Sequence, residues 1–172
     1  MEQRGEQPGK GGSEAPPLWL NQGNREANGL SRPGSVGLVA GNRADGLAVL
    51  HELGRVFGSV PVSLTEVALS EPSICRGEEL TERLADCPLL FDLETLCWNQ
   101  GLGIDPLRFL RLHARKLGVV AFWPGRITGS TATFSVPGRR DHQRVVLAKL
   151  SVVRPVPTRF PDEVPFRVER IP

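Results

Sequence analysis

From Ser35 onward the chain alternates short apolar runs with amphipathic stretches of helical length, the pattern of β-α-β units around a parallel sheet. The apolar runs predict strands at Val36–Ala40, Val60–Leu64, Pro88–Asp92 and Val119–Trp123. Between them the spacing predicts helices at about Gly46–Phe57, Gly77–Asp86 and Asp105–Lys116, the last with Asp105 as N-cap and Pro106 at the first helical position. A fifth strand, Thr131–Val136, follows Trp123 after only the short PGRITGS linker. A parallel crossover needs about a dozen residues, so this strand is expected to run antiparallel at a sheet edge. One more strand is expected near Val145–Val152.

The flanks read differently. Residues 1–33 are rich in Gly, Gln, Asn, Glu and Pro, with Leu18, Trp19 and Leu20 as an apolar cluster too small to offset ordering entropy. They are expected to form a disordered tail, with Trp19 as a docking point. After Val152 the chain is punctuated by prolines. The expected organisation is a tail over 1–33, one α/β domain over 34–152 and an extended proline-rich tail over 153–172. A length of 172 residues suits one domain plus tails.

No run approaches the roughly 20 apolar residues that cross a bilayer, and the N-terminus is polar where a signal peptide needs an apolar run. A cytoplasmic protein without membrane contact is expected. Cys75, Cys87 and Cys97 fit neither paired metal ligands nor a disulfide framework, so reduced thiols are expected. The net charge is +2, but residues 138–172 carry eight basic against four acidic side chains.

The first strand, SVGLVA, runs into Gly41-Asn42-Arg43-Ala44-Asp45-Gly46-Leu47-Ala48 and then a helix. That is the order in which the phosphate-binding motif G-x-x-x-x-G-K-[ST] occurs, and both glycines fall at its spacing. In a working loop the backbone N–H groups cradle phosphate, the lysine neutralises it and the hydroxyl holds Mg²⁺. Leu47 and Ala48 stand in those last two places. Arg43 can reach back over a weakly held anion, whereas Asp45 would repel it. A plain strand-to-helix turn explains the glycines equally well.

The third strand ends Leu89-Leu90-Phe91-Asp92-Leu93-Glu94. Acids at that place resemble a Walker B strand, whose Asp orients Mg²⁺ while a Glu activates water. Asp92 and Glu94 share a face if the strand extends that far; otherwise Asp92 caps the next turn and Glu94 is solvated.

The degenerate loop, LLFDLETL, the helix DPLRFLRLHARK and the strand-turn VVAFWPGRITG together resemble the BrxF family, P-loop-containing proteins of bacteriophage exclusion (BREX) defence systems. The likeness runs over roughly residues 36–142. It implies a three-layer P-loop NTPase-like α/β domain that works beside larger defence-system proteins, among them a methyltransferase, a phosphatase-like protein and a large ATPase. The family often carries the Walker A lysine and Ser or Thr, and an aromatic residue after the Pro137-Gly138 turn, where this chain reads RRDHQR.

The expectation is therefore a mostly parallel sheet, strands ordered 1-4-3-2, with the candidate nucleotide site at Gly41, Asn42, Arg43, Gly46, Asp92, Glu94 and Arg126. Arg126, in the turn after Trp123, is placed by a fourth strand lying beside the first. Two basic features suit a partner or nucleic acid: the row Arg108, Arg111 and Arg115, a second stripe at the same spacing as Leu107, Leu110, Ala114 and Leu117, and the segment Arg139, Arg140, His142 and Arg144. Both also read as solvated faces. His51, His113 and His142 lie on separate elements and suggest no metal site. Trp98 and Trp123 read as core residues. The chain is expected to be a non-catalytic accessory subunit without a cofactor of its own. The alternatives are an NTPase that binds ATP or another NTP with Mg²⁺ when Arg43, Arg126 or a partner complements the loop, and a DNA-binding accessory.

Overall fold

The computed structural model describes residues 25–71, 77–98, 104–135, 142–158 and 165–172. Among the described residues the strands are β1 (Val36–Val39), β2 (Val62–Ser63), β3 (Leu89–Phe91), β4 (Val119–Phe122), β5 (Ile127–Thr128), β6 (Thr131–Phe134), β7 (Gln143–Val146), β8 (Leu150–Pro155) and β9 (Phe166–Ile171). Residues 25–30 form the helical turn α1. The other helices are α2 (Arg43–Phe57), α3 (Leu64–Ser70), α4 (Gly77–Arg83), α5 (Thr95–Trp98) and α6 (Pro106–His113).

Six strands form one sheet in the order β2-β3-β4-β1-β8-β9. The first five run parallel and β9 pairs antiparallel with β8. The order of the first four strands is the expected one. Every residue of β1 and β4 is buried, as continuous apolar runs in the middle of a parallel sheet require.

Period-2 alternation splits the core. Val36 and Leu38 of β1 and Val119, Ala121 and Trp123 from the β4 segment face α4 and α6. Val39 of β1 with Val120 and Phe122 of β4 face Val49, Leu50 and Leu53 of α2 and Ala27 and Leu30 of α1. Helices thus cover both faces, giving three layers. Full burial of each Leu in α2 contributes about 2 kcal/mol.

Four expectations change. Thr131–Phe134 does run antiparallel, but in a second sheet ordered β5-β6-β7, not at the edge of the main one. Leu150–Pro155 takes the place beside β1, and the small sheet packs instead through Trp123, whose ring meets Phe134 edge-on at 5.1 Å. The run expected as one strand over Val145–Val152 divides into β7 and β8, with Lys149 at φ 54 between them.

The antiparallel edge is β9, in the segment expected to be an extended tail. Its prolines stand at strand ends: Pro155 closes β8 opposite Phe166 and Pro165 precedes β9, where Phe166 and Val168 alternate with Arg167 and Glu169 so that the apolar pair meets the α2 side of the core. Part of the expected N-terminal tail also belongs to the domain. Ala27 and Leu30, on one helical face, are 0% and 1% exposed, and Gly118 N–H bonds to the Ser31 carbonyl. The expectations for residues 1–24, Trp19, Cys75, Arg139, Arg140 and the Pro137-Gly138 turn lie outside the described residues. No helix among the described residues is long and apolar enough to cross a membrane.

Candidate functional site

At the carboxyl end of β1 the chain turns through Gly41 at φ 122, a conformation that glycine adopts without strain. Helix α2 then begins at Arg43, ahead of Gly46. Asn42 is its N-cap: Oδ1 accepts from the Asp45 N–H at 2.9 Å and Nδ2 donates to Asp45 Oδ2 at 2.6 Å. Gly46 N–H bonds to the Asn42 carbonyl at 2.9 Å, as in any α-helix. The Asp45 carboxylate, in the first turn, complements the helix dipole.

Gly46 has a packing role. A Cβ there would lie 2.3 Å from Cδ2 of Phe122 on β4, so only glycine lets α2 sit at this height on the sheet. On the other side of the turn Pro155, at the end of β8, closes over Gly41, where a Cβ would be 3.3 Å from its Cγ.

Arg43 reaches across β4 to β3. Its Nη1 lies 2.6 Å from Asp92 Oδ1, and its guanidinium stands over the Phe91 ring at 5.7 Å. Ser63 Oγ, from β2, donates to Asp92 Oδ2 at 2.6 Å. Sequence reading missed Ser63, because nothing local marks a hydroxyl that meets an acid from the neighbouring strand. Strand β3 ends at Phe91, and Asp92 adopts φ 60, so Asp92 and Glu94 do not share a strand face. The Asp92 carbonyl accepts from Thr95 N–H, which opens the turn carrying Glu94 into α5.

These residues do not fit a Mg²⁺-nucleotide. The N–H groups of Asp45 and Gly46 are committed to the cap and the helix, Leu47 and Ala48 offer neither cation nor hydroxyl, and both carboxylate oxygens of Asp92 are engaged. The expected site is thus brought together in part. Gly41, Asn42, Arg43, Gly46 and Asp92 come together, with Asn42 bonded to Gly46 and Arg43 paired to Asp92, whereas Arg126 is exposed in the turn before β5 with its N–H 3.3 Å from Thr133 Oγ1.

The arginine row lies on the opposite side of the sheet. Leu107, Leu110 and Ala114 are buried as expected, and Arg108, Arg111 and Arg115 are exposed. They line a groove of about 540 Å³ whose other wall is Val145 and Val146 of β7. Arg111 Nη2 donates to the Ala148 carbonyl at 3.2 Å, fixing the helix against the end of the small sheet. Arg144 is exposed on β7 and His142 is half-buried just before it. That β7 completes a groove with the arginines was not legible, since its pairing partner β6 is set by the tertiary fold.

His113, at the end of α6, is 2% exposed. Its Nε2–H donates to the Cys87 carbonyl at 2.9 Å and its ring stacks on Phe109. Burial lowers its pKa from the ordinary histidine value, with the bond to Cys87 opposing. Burial likewise raises the Cys87 thiol pKa, which disfavours a reactive thiolate.

No protein-family model, curated protein or solved structure matches the chain.

Proposed function

We propose that the chain is a non-catalytic, P-loop-like accessory subunit that acts by binding protein partners, in a bacterial antiphage defence complex of the BREX type. The strand order supports the P-loop-like frame: β1 lies inside the run of parallel strands, between β4 and β8, and the acid-bearing end of β3 lies one strand beyond its neighbour β4. One observation carries the non-catalytic part of the reading. Helix α2 starts at Arg43 on an Asn42 cap, so the stretch that would cradle phosphates is already helix, and Arg43 holds the acid that would orient a metal. Binding surface remains elsewhere, in the arginine-lined groove. The antiphage setting is carried by the resemblance of the motifs to the BrxF family.

The test is purification of the full chain from its native host, with identification of co-purifying proteins and an ATPase assay of the complex and of the chain alone. The reading expects other defence-system proteins to come down and the isolated chain to lack ATPase activity. A chain that hydrolyses ATP by itself, with loss of activity in Asp92→Ala, contradicts it.

A further inference from the structure

The groove beside α6 has two walls of different chemistry. One carries Arg108, Arg111 and Arg115, and among the described residues none of the three has an acidic partner within salt-bridge distance. The other wall is β7, the last strand of its sheet among the described residues. Neighbouring residues on a strand point to opposite faces, so one cavity that touches both Val145 and Val146 opens on the strand's edge.

Among the described residues that edge has free hydrogen-bonding capacity. Leu147 N–H bonds to the Ser130 carbonyl at 2.8 Å, which makes this rung a hydrogen-bonded pair of the β6–β7 ladder. Bonded and non-bonded pairs alternate along an antiparallel ladder. Val146 and Arg144, opposite Thr131 and Thr133, therefore turn their N–H and C=O groups away from β6 and into the groove. Val146 is 75% exposed.

We propose that this groove binds an extended segment of a partner protein in which acidic and apolar residues alternate, added as a fourth strand to the small sheet along β7. Main-chain bonds to Arg144 and Val146 supply the pairing, and carboxylates on one face of the added strand meet the arginine row. Leu107 and Leu112 give the groove an apolar floor that suits the alternate side chains. Of the acids on the walls, Asp105 is committed to the Arg108 N–H as N-cap, and Glu78 stands on α4. A nucleic acid would find the arginines but no aromatic side chain on the lining to stack a base. The inference rests on the reading that the chain works by engaging protein.

The experiment titrates the full chain into three fluorescein-labelled probes: a short peptide of alternating Glu and Val, its Lys–Val counterpart, and a short oligothymidylate. Saturable binding of the Glu–Val peptide alone is expected. Arg108→Gln/Arg115→Gln should weaken it by at least about tenfold through lost charge. Val146→Pro should weaken it similarly, because proline there removes an outward N–H and leaves the β6 ladder intact. If Val146→Pro loosens the small sheet, amide chemical shifts of the wild-type chain decide the point, with Arg144 and Val146 expected to move on peptide addition. No peptide binding, binding of the oligothymidylate instead, or peptide binding that leaves the Arg144 and Val146 amides unmoved overturns the proposal. Nucleotide affinity at Gly41 would defeat the functional reading and leave the groove untouched, whereas a silent peptide titration without nucleotide affinity defeats the groove alone.

Discussion

Replacing Gly46 with alanine separates a packing glycine from a phosphate-loop glycine. In a helix first turn the change would ordinarily stabilise by up to about 1 kcal/mol through backbone entropy. Here the new methyl would sit 2.3 and 2.5 Å from Cδ2 and Cε2 of Phe122, more than an ångström inside an ordinary carbon–carbon contact. Relief requires α2 to lift from β4 or Phe122 to leave its place between α2 and the sheet, an overpacking cost of about 1–3 kcal/mol. With the full entropic gain offset, the net loss is up to about 2 kcal/mol, a fall in Tm of up to about 8 °C for a chain of this size. Urea unfolding of Gly46→Ala, Phe122→Ala and the double variant measures the coupling directly. With Phe122 truncated the alanine should become neutral or stabilising. A stabilising Gly46→Ala in the wild-type background would mean that α2 does not rest on Phe122, and the packing argument fails.

Three further outcomes follow from individual contacts. Asn42→Ala should cost about 1 kcal/mol in urea unfolding, with Asn42→Asp retaining most of the cap; an unchanged midpoint for the alanine variant would remove the cap from the account. For His113, burial holds the folded-state pKa below the unfolded value of about 6.5, so the neutral ring's contribution is complete above that pH and is lost as pH falls toward the folded pKa. His113→Gln, which keeps a donor for Cys87, should flatten that loss in unfolding measurements below about pH 6.5, and an identical pH profile for the two proteins would contradict the burial argument. Trp123→Phe removes the 2.8 Å bond from Nε1 to the Thr133 carbonyl and should cost about 1–3 kcal/mol, releasing the small sheet before the main one in hydrogen exchange.

The parallel core was legible because Val36–Val39, Leu89–Phe91 and Val119–Phe122 are continuous apolar runs separated by helices of the right length. The outer strands were legible only in part. A strand is expected over Val145–Val152, but prolines at 155 and 165 make the end of β8 and all of β9 look like a tail, although both residues stand at strand ends where a missing donor costs little. The candidate nucleotide site shows a sharper ambiguity. Glycines at 41 and 46 satisfy a phosphate loop, but Asn42 and Asp45 satisfy a helix cap over the same residues, and spacing alone cannot choose between them. The choice falls to Phe122, from a strand far along the chain, whose ring occupies the space above Gly46. The arginine row was readable as a helical face from its spacing; the β7 edge that turns it into a groove was not, because strand pairing is non-local.

The central claim is that the Asp45 and Gly46 N–H groups are committed to the Asn42 cap and to α2 while Arg43 holds Asp92, so that restoring the missing side chains does not restore a nucleotide site. Calorimetric titration of MgATP into the wild-type chain and into Leu47→Lys/Ala48→Ser measures this directly. The account predicts no saturable binding to either protein up to about millimolar ATP. Binding to either one that disappears on adding Asp92→Ala would contradict it.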